Sequence, residues 1–334
     1  EKRTHDTSLR ITTEAAEAGS RLVPSNTVLA VVRGMSLANE FRIAITRREV
    51  AFNQDLKAFA CVPDVESEFL FYALLARREY IRNLATEASH GTKKLETDVL
   101  ASVQIAVPQP EIQRQAVSIL ASYDDLIENN RRRMTLLEES ARLLYREWFV
   151  LLRFPGYEHT RISDGVPEGW EKKTLGECIT LNYGKALKAE VRIDGEYPVY
   201  GSSGIVGSHE KPLVKGPAII LGRKGNVGSV YWSSKSFYPI DTVYFVDAES
   251  SSLYLYYALK HMHFISTDVA VPGLNRDFAY SRPLLRPTAT MLRAFLETVT
   301  PIHAQLDKLD EMNQKLRTAR DLLLPRLMSG EIAV

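Results

Sequence analysis

Cysteine is scarce. Cys61 and Cys178 are the only two in 334 residues, 117 positions apart, with no CxxC pair and no Cys/His cluster. Such usage excludes a disulfide framework and a structural zinc, and points to a reducing cytoplasm. Net charge is nearly absent: 42 Lys and Arg stand against 41 Asp and Glu, so any basic surface has to be local. The longest apolar stretches, such as 217–221 and 148–152, fall far short of the roughly 20 residues a bilayer requires. A start at Glu1 rather than Met predicts a missing or processed N-terminus. There is no GxxxxGK[ST] phosphate loop, no GxGxxG after a strand, no HExxH and no GxSxG, so hydrolytic and redox catalysis lose their usual supports.

What is present is a folded chain, with 45% apolar and 25% charged residues, too long for one ordinary core. It also repeats itself. Residues 111–150 lack Gly and Pro and place Ala116, Leu120, Tyr123, Ile127, Asn130, Met134, Leu137, Ala141, Leu144 and Trp148 at alternating spacings of four and three. That is a heptad seam. Adding 179 to each position gives Phe295, Val299, Ile302, Leu306, Leu309, Asn313, Leu316, Arg320, Leu323 and Leu327, in a second Gly-free run at 289–329. Each helix is about forty residues, or roughly 55–60 Å long. Neither buries its stripe alone, so the two are expected to pack on each other as an antiparallel coiled coil.

The repeat continues upstream. FLFYALL (69–75) resembles YLYYALK (254–260), AFNQDLKAF (51–59) resembles FYPIDTVYF (237–245), and LVPSNTVLAVVRG (22–34) parallels LVKGPAIILGRKG (213–225). Each unit mixes β-branched runs with one amphipathic helix, expected at 66–87 and 249–266, which reads as an α/β or α+β fold. The expected organisation is a globular unit at 1–108, a long helix at 109–152, a second globular unit at 153–288 and a second long helix at 289–334, related by a pseudo-twofold. The first unit lacks a counterpart to GWEKKTLGEC (169–178) and reads as incomplete at its front.

The chemistry concentrates in 197–242. Between Gly201 and Lys235, Lys211, Lys215, Arg223, Lys224 and Lys235 oppose Glu210 alone, a local +4 in a neutral chain. Gly201, Gly204, Gly207, Gly222, Gly225 and Gly228 let backbone amides approach phosphates or base edges, and Tyr200, Ser202, Ser203, His209 and Asn226 add donors and acceptors. Glycines alone would mark only hairpin turns; glycine with clustered base and hydroxyl points to a DNA-binding surface, to which Lys185 and Lys188 are added. Weaker analogues in the first unit are Arg33, within RGMSLAN, then Asn53 and Gln54, and His90, Lys93 and Lys94. His261 and His263 are two apart on an expected helix and point to different faces, so no metal site is assigned. Glu171-Lys172-Lys173 lacks the Pro-Asp companion of a nuclease motif, and Arg131-Arg132-Arg133, among acids, reads as a protein-facing surface.

Several segments together resemble the specificity subunit of type I restriction-modification enzymes. They are VPEGWEKKTLGE (166–177), YPVYGSSGIVG (197–207), IILGRKGNVGSVYW (219–232), YPIDT (238–242), the helix LIENNRRRMTLLEESARLLYREWF (126–149) and the closing RDLLLPRLMSGEI (320–332). The resemblance spans nearly the whole chain. It implies a non-catalytic subunit whose two target recognition domains each read one half of a bipartite double-stranded DNA site, in a prokaryotic cytoplasm, with no membrane. It further implies that the long helices dock two modification subunits, which transfer methyl groups from S-adenosylmethionine to adenine N6. Two restriction subunits then use ATP and Mg2+ to translocate and cut. Two rival readings are a structural coiled-coil adaptor without DNA contact, and the recognition part of a fused methyltransferase or nuclease.

Overall fold

The computed structural model describes residues 3–4, 10–88, 91–262, 264 and 273–334. The chain divides into two compact units, Glu1–Asn130 with Glu311–Val334, and Arg131–Asp310. The division falls inside both long helices, Pro110–Tyr145 and Ala289–Met328.

In the first unit the strand Val28–Val31 runs antiparallel between Ile43–Thr46 and Leu56–Phe59. Its apolar VLAV sequence is almost wholly buried, because Val28, Ala30, Ile43 and Ile45 meet Phe69, Phe71 and Tyr72 of the helix Ser67–Ala76. The same core takes Ala116, Val117 and Leu120 from one long helix and Leu324, Leu327 and Met328 from the other.

The second unit repeats this plan with other side chains. The strand Ala218–Gly222 lies antiparallel between Val230–Ser233 and Val243–Val246, with Asn182–Tyr183 added beyond the latter. Both of its faces are covered. Ile219 and Leu221 join a core with Leu255, Leu259, Tyr145 and Phe295, while Ala218 and Ile220 join Tyr200, Val214, Phe237 and Val243. A hairpin, Tyr197–Gly201 with Gly204–His209, and a pair formed by Glu171–Thr174 and Pro283–Arg286 complete it.

The positions read from spacing are covered on both long helices. Leu120, Ile127, Val299, Leu306 and Leu309 are buried, and Tyr123, Met134, Leu137, Leu144, Ile302, Leu316 and Leu323 are half-buried. Within the first unit the helices run antiparallel: Leu120 shares a cluster with Leu324, Asp124 bonds Arg320, and the buried Asn130 amide donates to Asn313 at 3.0 Å. Within the second, Tyr145, Trp148 and Phe149 surround Phe295, with ring centroids 5.0–6.2 Å apart. Pro301 and Pro325 sit inside the second long helix on exposed positions, so each removes a single main-chain bond without entering the seam.

Two expectations are corrected. The first short helix does not run through 66–87: Arg77, at φ −99° and ψ 9°, leaves the helical region and splits it into Ser67–Ala76 and Arg78–Asn83. The second begins at Leu253 rather than 249 and ends at His261, because Met262 turns to extended backbone; 263, 265 and 266 lie outside the described residues. Neither is amphipathic in use. Residues 253–259 are all buried, since other elements cover the helix on every side.

Candidate nucleic-acid interface

Each unit carries one loop cluster, and the same main-chain bonds build both. In the first, the Val32 N–H donates to the Asp55 carbonyl at 2.8 Å and the Leu95 N–H donates to the Val32 carbonyl at 2.8 Å. In the second, the Arg223 N–H donates to Thr242 at 2.9 Å and the Leu274 N–H donates to Arg223 at 2.8 Å. Arg33 then pairs in register with Lys94, as Lys224 does with Gly273. Val32 therefore corresponds to Arg223, and Arg33 to Lys224.

This architecture gathers the first unit's candidates. Arg33, Lys93 and Lys94 lie on paired short strands, and Asn53 and Gln54 form the turn whose Asp55 carbonyl anchors Val32. The Asn53 side chain accepts from the Asp55 N–H at 3.1 Å and shapes that turn. Lys94 is also drawn to Glu96 at 2.6 Å. His90 lies outside the described residues.

In the second unit the tips of the two glycine hairpins meet. Ser202 is the joint: its hydroxyl accepts from the Asn226 N–H at 3.4 Å, and its carbonyl accepts from Ser229 Oγ at 2.6 Å and from the Tyr231 hydroxyl at 3.1 Å. Glycine is required at two points here. A Cβ on Gly222 would stand 2.2 Å from the Asn226 carbonyl oxygen, and Gly225 has φ +77°. Ser203, Lys224 and Asn226 are exposed around this joint, with Lys185 and Lys188 exposed on the segment after Tyr183.

Arg223 is not a loose cation. Its Nε and Nη2 donate to the Asp241 carbonyl at 3.2 and 2.6 Å, and its guanidinium lies 5.2 Å from the Tyr183 ring centroid and 5.8 Å from that of Tyr244. Arg276, exposed at the start of Arg276–Tyr280, lies 5.3 Å from the same Tyr183 ring centroid and 5.9 Å from that of Tyr280. Burial first, and then the neighbouring Tyr183 hydroxyl, push the Tyr244 phenol up to about 12. The sequence reading missed Tyr183 and Arg276. Their only signals are position, Tyr183 two residues before Lys185 and Arg276 directly after the Asn275 cap, and neither forms a motif.

Other expected contributors are placed elsewhere. Tyr200 is a core residue, 7% exposed, because its side of the hairpin packs on Phe237 and Ala218; Gly201 and Gly204 are buried with it. His209 accepts from the Ile193 N–H and packs edge-on against Tyr238, so it braces the far end of the hairpin. Lys211 lies beyond it, paired with Glu210 at 3.2 Å. Lys215 and Lys235 flank the bridge between Val214 and Phe237, at the opposite end of the Ala218–Gly222 strand from Arg223. The local +4 is thus spread over about 17 Å of strand rather than gathered at one place.

Among the described residues no group of three His, Cys, Asp or Glu could hold a metal ion, and no helix is long and apolar enough to cross a membrane. Glu171 pairs with Lys173 at 3.0 Å on a strand edge, and both cysteines are free.

The comparisons with known proteins agree with this doubled plan. The chain is 23% identical to the type I restriction enzyme MjaIX specificity subunit of Methanocaldococcus jannaschii, over 95% of this chain and 80% of that protein. It is 22% identical to the HindI specificity subunit of Haemophilus influenzae, over 79% and 77%. The crystal structure of an S subunit from M. genitalium shares the fold, with a TM-score of 0.56 at 19% identity, covering 92% of this chain and 83% of that one. The family described as type I restriction modification DNA specificity domain matches twice, at residues 13–139 and 167–277, and the chain belongs to that family.

Proposed function

We propose that this chain is the DNA-reading subunit of a type I restriction-modification complex, in which each unit reads one half of a bipartite duplex site. The observation that carries the reading is the repeated loop cluster: equivalent main-chain bonds, made by Val32 in one unit and Arg223 in the other, present Arg33 and Lys224 at exposed positions. One scaffold with different side chains suits two different half-sites. Base edges are read by side chains in the major groove, while lysines meet phosphates as point charges. Lys224, Lys185 and Lys188 are assigned to phosphates, as are Lys93 and Lys94.

The long helices form an antiparallel coiled coil. Their outward leucines support docking of two modification subunits: Leu136 is 70% exposed and Leu322 66% exposed on helices whose inward sides are already filled. Methyl transfer from S-adenosylmethionine, and ATP- and Mg2+-dependent translocation and cleavage, belong to the modification and restriction partners in the cytoplasm.

The test is to express the chain with its modification subunits and to map adenine methylation on genomic DNA by single-molecule sequencing. The expected result is one interrupted motif whose two parts change separately when the loops of one unit or the other are exchanged. Methylation without a bipartite motif, or unaltered by loop exchange, overturns the reading. A purely structural adaptor would show no salt-dependent shift of DNA in a gel.

A further inference from the structure

Five side chains of the second unit form an alternating ladder: Tyr244, Arg223, Tyr183, Arg276, Tyr280. Each neighbouring ring and guanidinium are 5.2–5.9 Å apart. Both ends are fixed. The Tyr244 hydroxyl donates to the Leu274 carbonyl at 3.1 Å, and the Tyr280 hydroxyl accepts from the Leu181 N–H at 2.9 Å. Arg223 is tied to Asp241 by two of its five N–H groups. Tyr183, in the middle, is 50% exposed. Arg276 is exposed and, among the described residues, no carboxylate pairs with it.

An arginine on a protein surface usually samples many rotamers, and ordering it on a ligand is costly in entropy. Here two rings hold the guanidinium before any ligand arrives. Its position follows from the fold: the bridge from Lys224 to Gly273 and the Leu274 bond to Arg223 bring residues 273–276 alongside the hairpin tip. A planar, pre-oriented fork with unused donors fits the paired O6 and N7 acceptors of guanine.

We propose that Arg276 contacts a base, a guanine, in the half-site read by the second unit, and that Tyr183 and Arg223 are positioning residues that hold its plane. This rests on the reading that the hairpin-tip face meets DNA. The first unit has Thr97 where the repeat spacing places Arg276, and Val32 where Arg223 stands, so the ladder belongs to one half-site alone.

The experiment uses the full chain bound to its modification subunits and a pool of randomised DNA duplexes, from which preferred sites are selected and sequenced at two salt concentrations. Four proteins are compared: the natural chain, Arg276→Lys, Tyr183→Leu and Lys224→Ala. Arg276→Lys keeps the charge and loses the fork, and its surface position spares the fold. It is expected to lose guanine preference at one position of one half-site by roughly tenfold or more, with the salt slope unchanged. Tyr183→Leu should relax the same position and no other, a change that general loosening of the unit would not confine to one base. An unchanged selected site with Arg276→Lys, or an equal loss of affinity for every sequence, overturns the ladder assignment. Lys224→Ala reports on the underlying reading: it should weaken binding to all sequences and lower the salt slope by about one. If it does neither, the hairpin face is not the DNA surface, and that failure is distinct from failure of the Arg276 assignment alone.

Discussion

The Tyr257 hydroxyl lies 2.8 Å from Nε2 of His303, at the place in the repeat where the Tyr72 hydroxyl donates to Asp124 at 2.9 Å. Asp124 and His303 are 179 positions apart, the spacing of the two helical seams. One half of the duplication thus holds a charged acceptor and the other a neutral ring. Arg320 completes the charged version by bonding Asp124, and its counterpart at the same spacing is Ala141.

This asymmetry gives unequal costs to the same substitution. Tyr72→Phe removes a donor from a carboxylate, whose hydrogen bonds contribute about 1.5–3 kcal/mol, whereas Tyr257→Phe removes a bond to a neutral imidazole, nearer 1 kcal/mol. Urea unfolding of the two variants should rank them in that order. A larger loss for Tyr257→Phe would mean that the hydroxyl of Tyr72 is not a working donor.

Arg320 and Asp124 are about nine-tenths buried at the side chain, and truncating Arg320 takes from Asp124 the guanidinium that offsets its buried charge. Arg320→Ala is expected to cost about 3–5 kcal/mol, and the double change with Asp124→Ala less than the sum of the two. Thermal and denaturant unfolding check both statements. Additive losses would show that the pair is not coupled.

His303 is held down to about 4, by burial first and by the positive charge of Lys260 second, with Trp232, Tyr256 and Tyr257 against its ring. The fold therefore favours the neutral imidazole. Stability from this source is intact above the unfolded value of about 6.5 and is lost as pH falls towards about 4. Relative to His303→Gln, the natural chain should lose about 2 kcal/mol across that window, after allowance for partial solvent screening. Unfolding free energies at a series of pH values provide the measurement, and parallel curves would remove His303 as the cause.

The two sides of the long helices separate folding from assembly. Ile127→Asp or Leu306→Asp places a charge in a filled seam and should cost several kcal/mol, with loss of soluble protein. Leu136→Asp, on an exposed position, should leave the melting temperature unchanged and reduce co-purification of the modification subunits. Retention of the modification subunits by Leu136→Asp would place their docking elsewhere.

The repeat and the seam were legible because they are periodic: a spacing of 179 and a three-four alternation survive any change of neighbouring residues. The turn chemistry around Gly222 and Gly225 was legible for a similar reason, since close approach and positive φ restrict residue type. Tyr200 was misplaced because Val199, Tyr200 and Gly201 are all buried, and a strand end covered in this way carries no alternation to say which side chains face outward. Tyr183 and Arg276 stand 93 residues apart and meet through tertiary contacts, so nothing local announced them. Lys211, Lys215 and Lys235 cluster in sequence, but an extended strand carries them away from Arg223.

Both loop clusters are hung on amide and carbonyl groups, from Val32 to Asp55 and Leu95 and from Arg223 to Thr242 and Leu274. Main-chain bonds of this kind do not depend on what the residue carries beyond its Cα. Positions 33 and 224, whose side chains are exposed, can therefore be rewritten without altering the frame that presents them. A chain so arranged can acquire a new target by point substitution or by copying a loop from one half to the other, while its helices and whatever binds them stay as they are. Novelty in what is read is uncoupled from constancy in what is assembled.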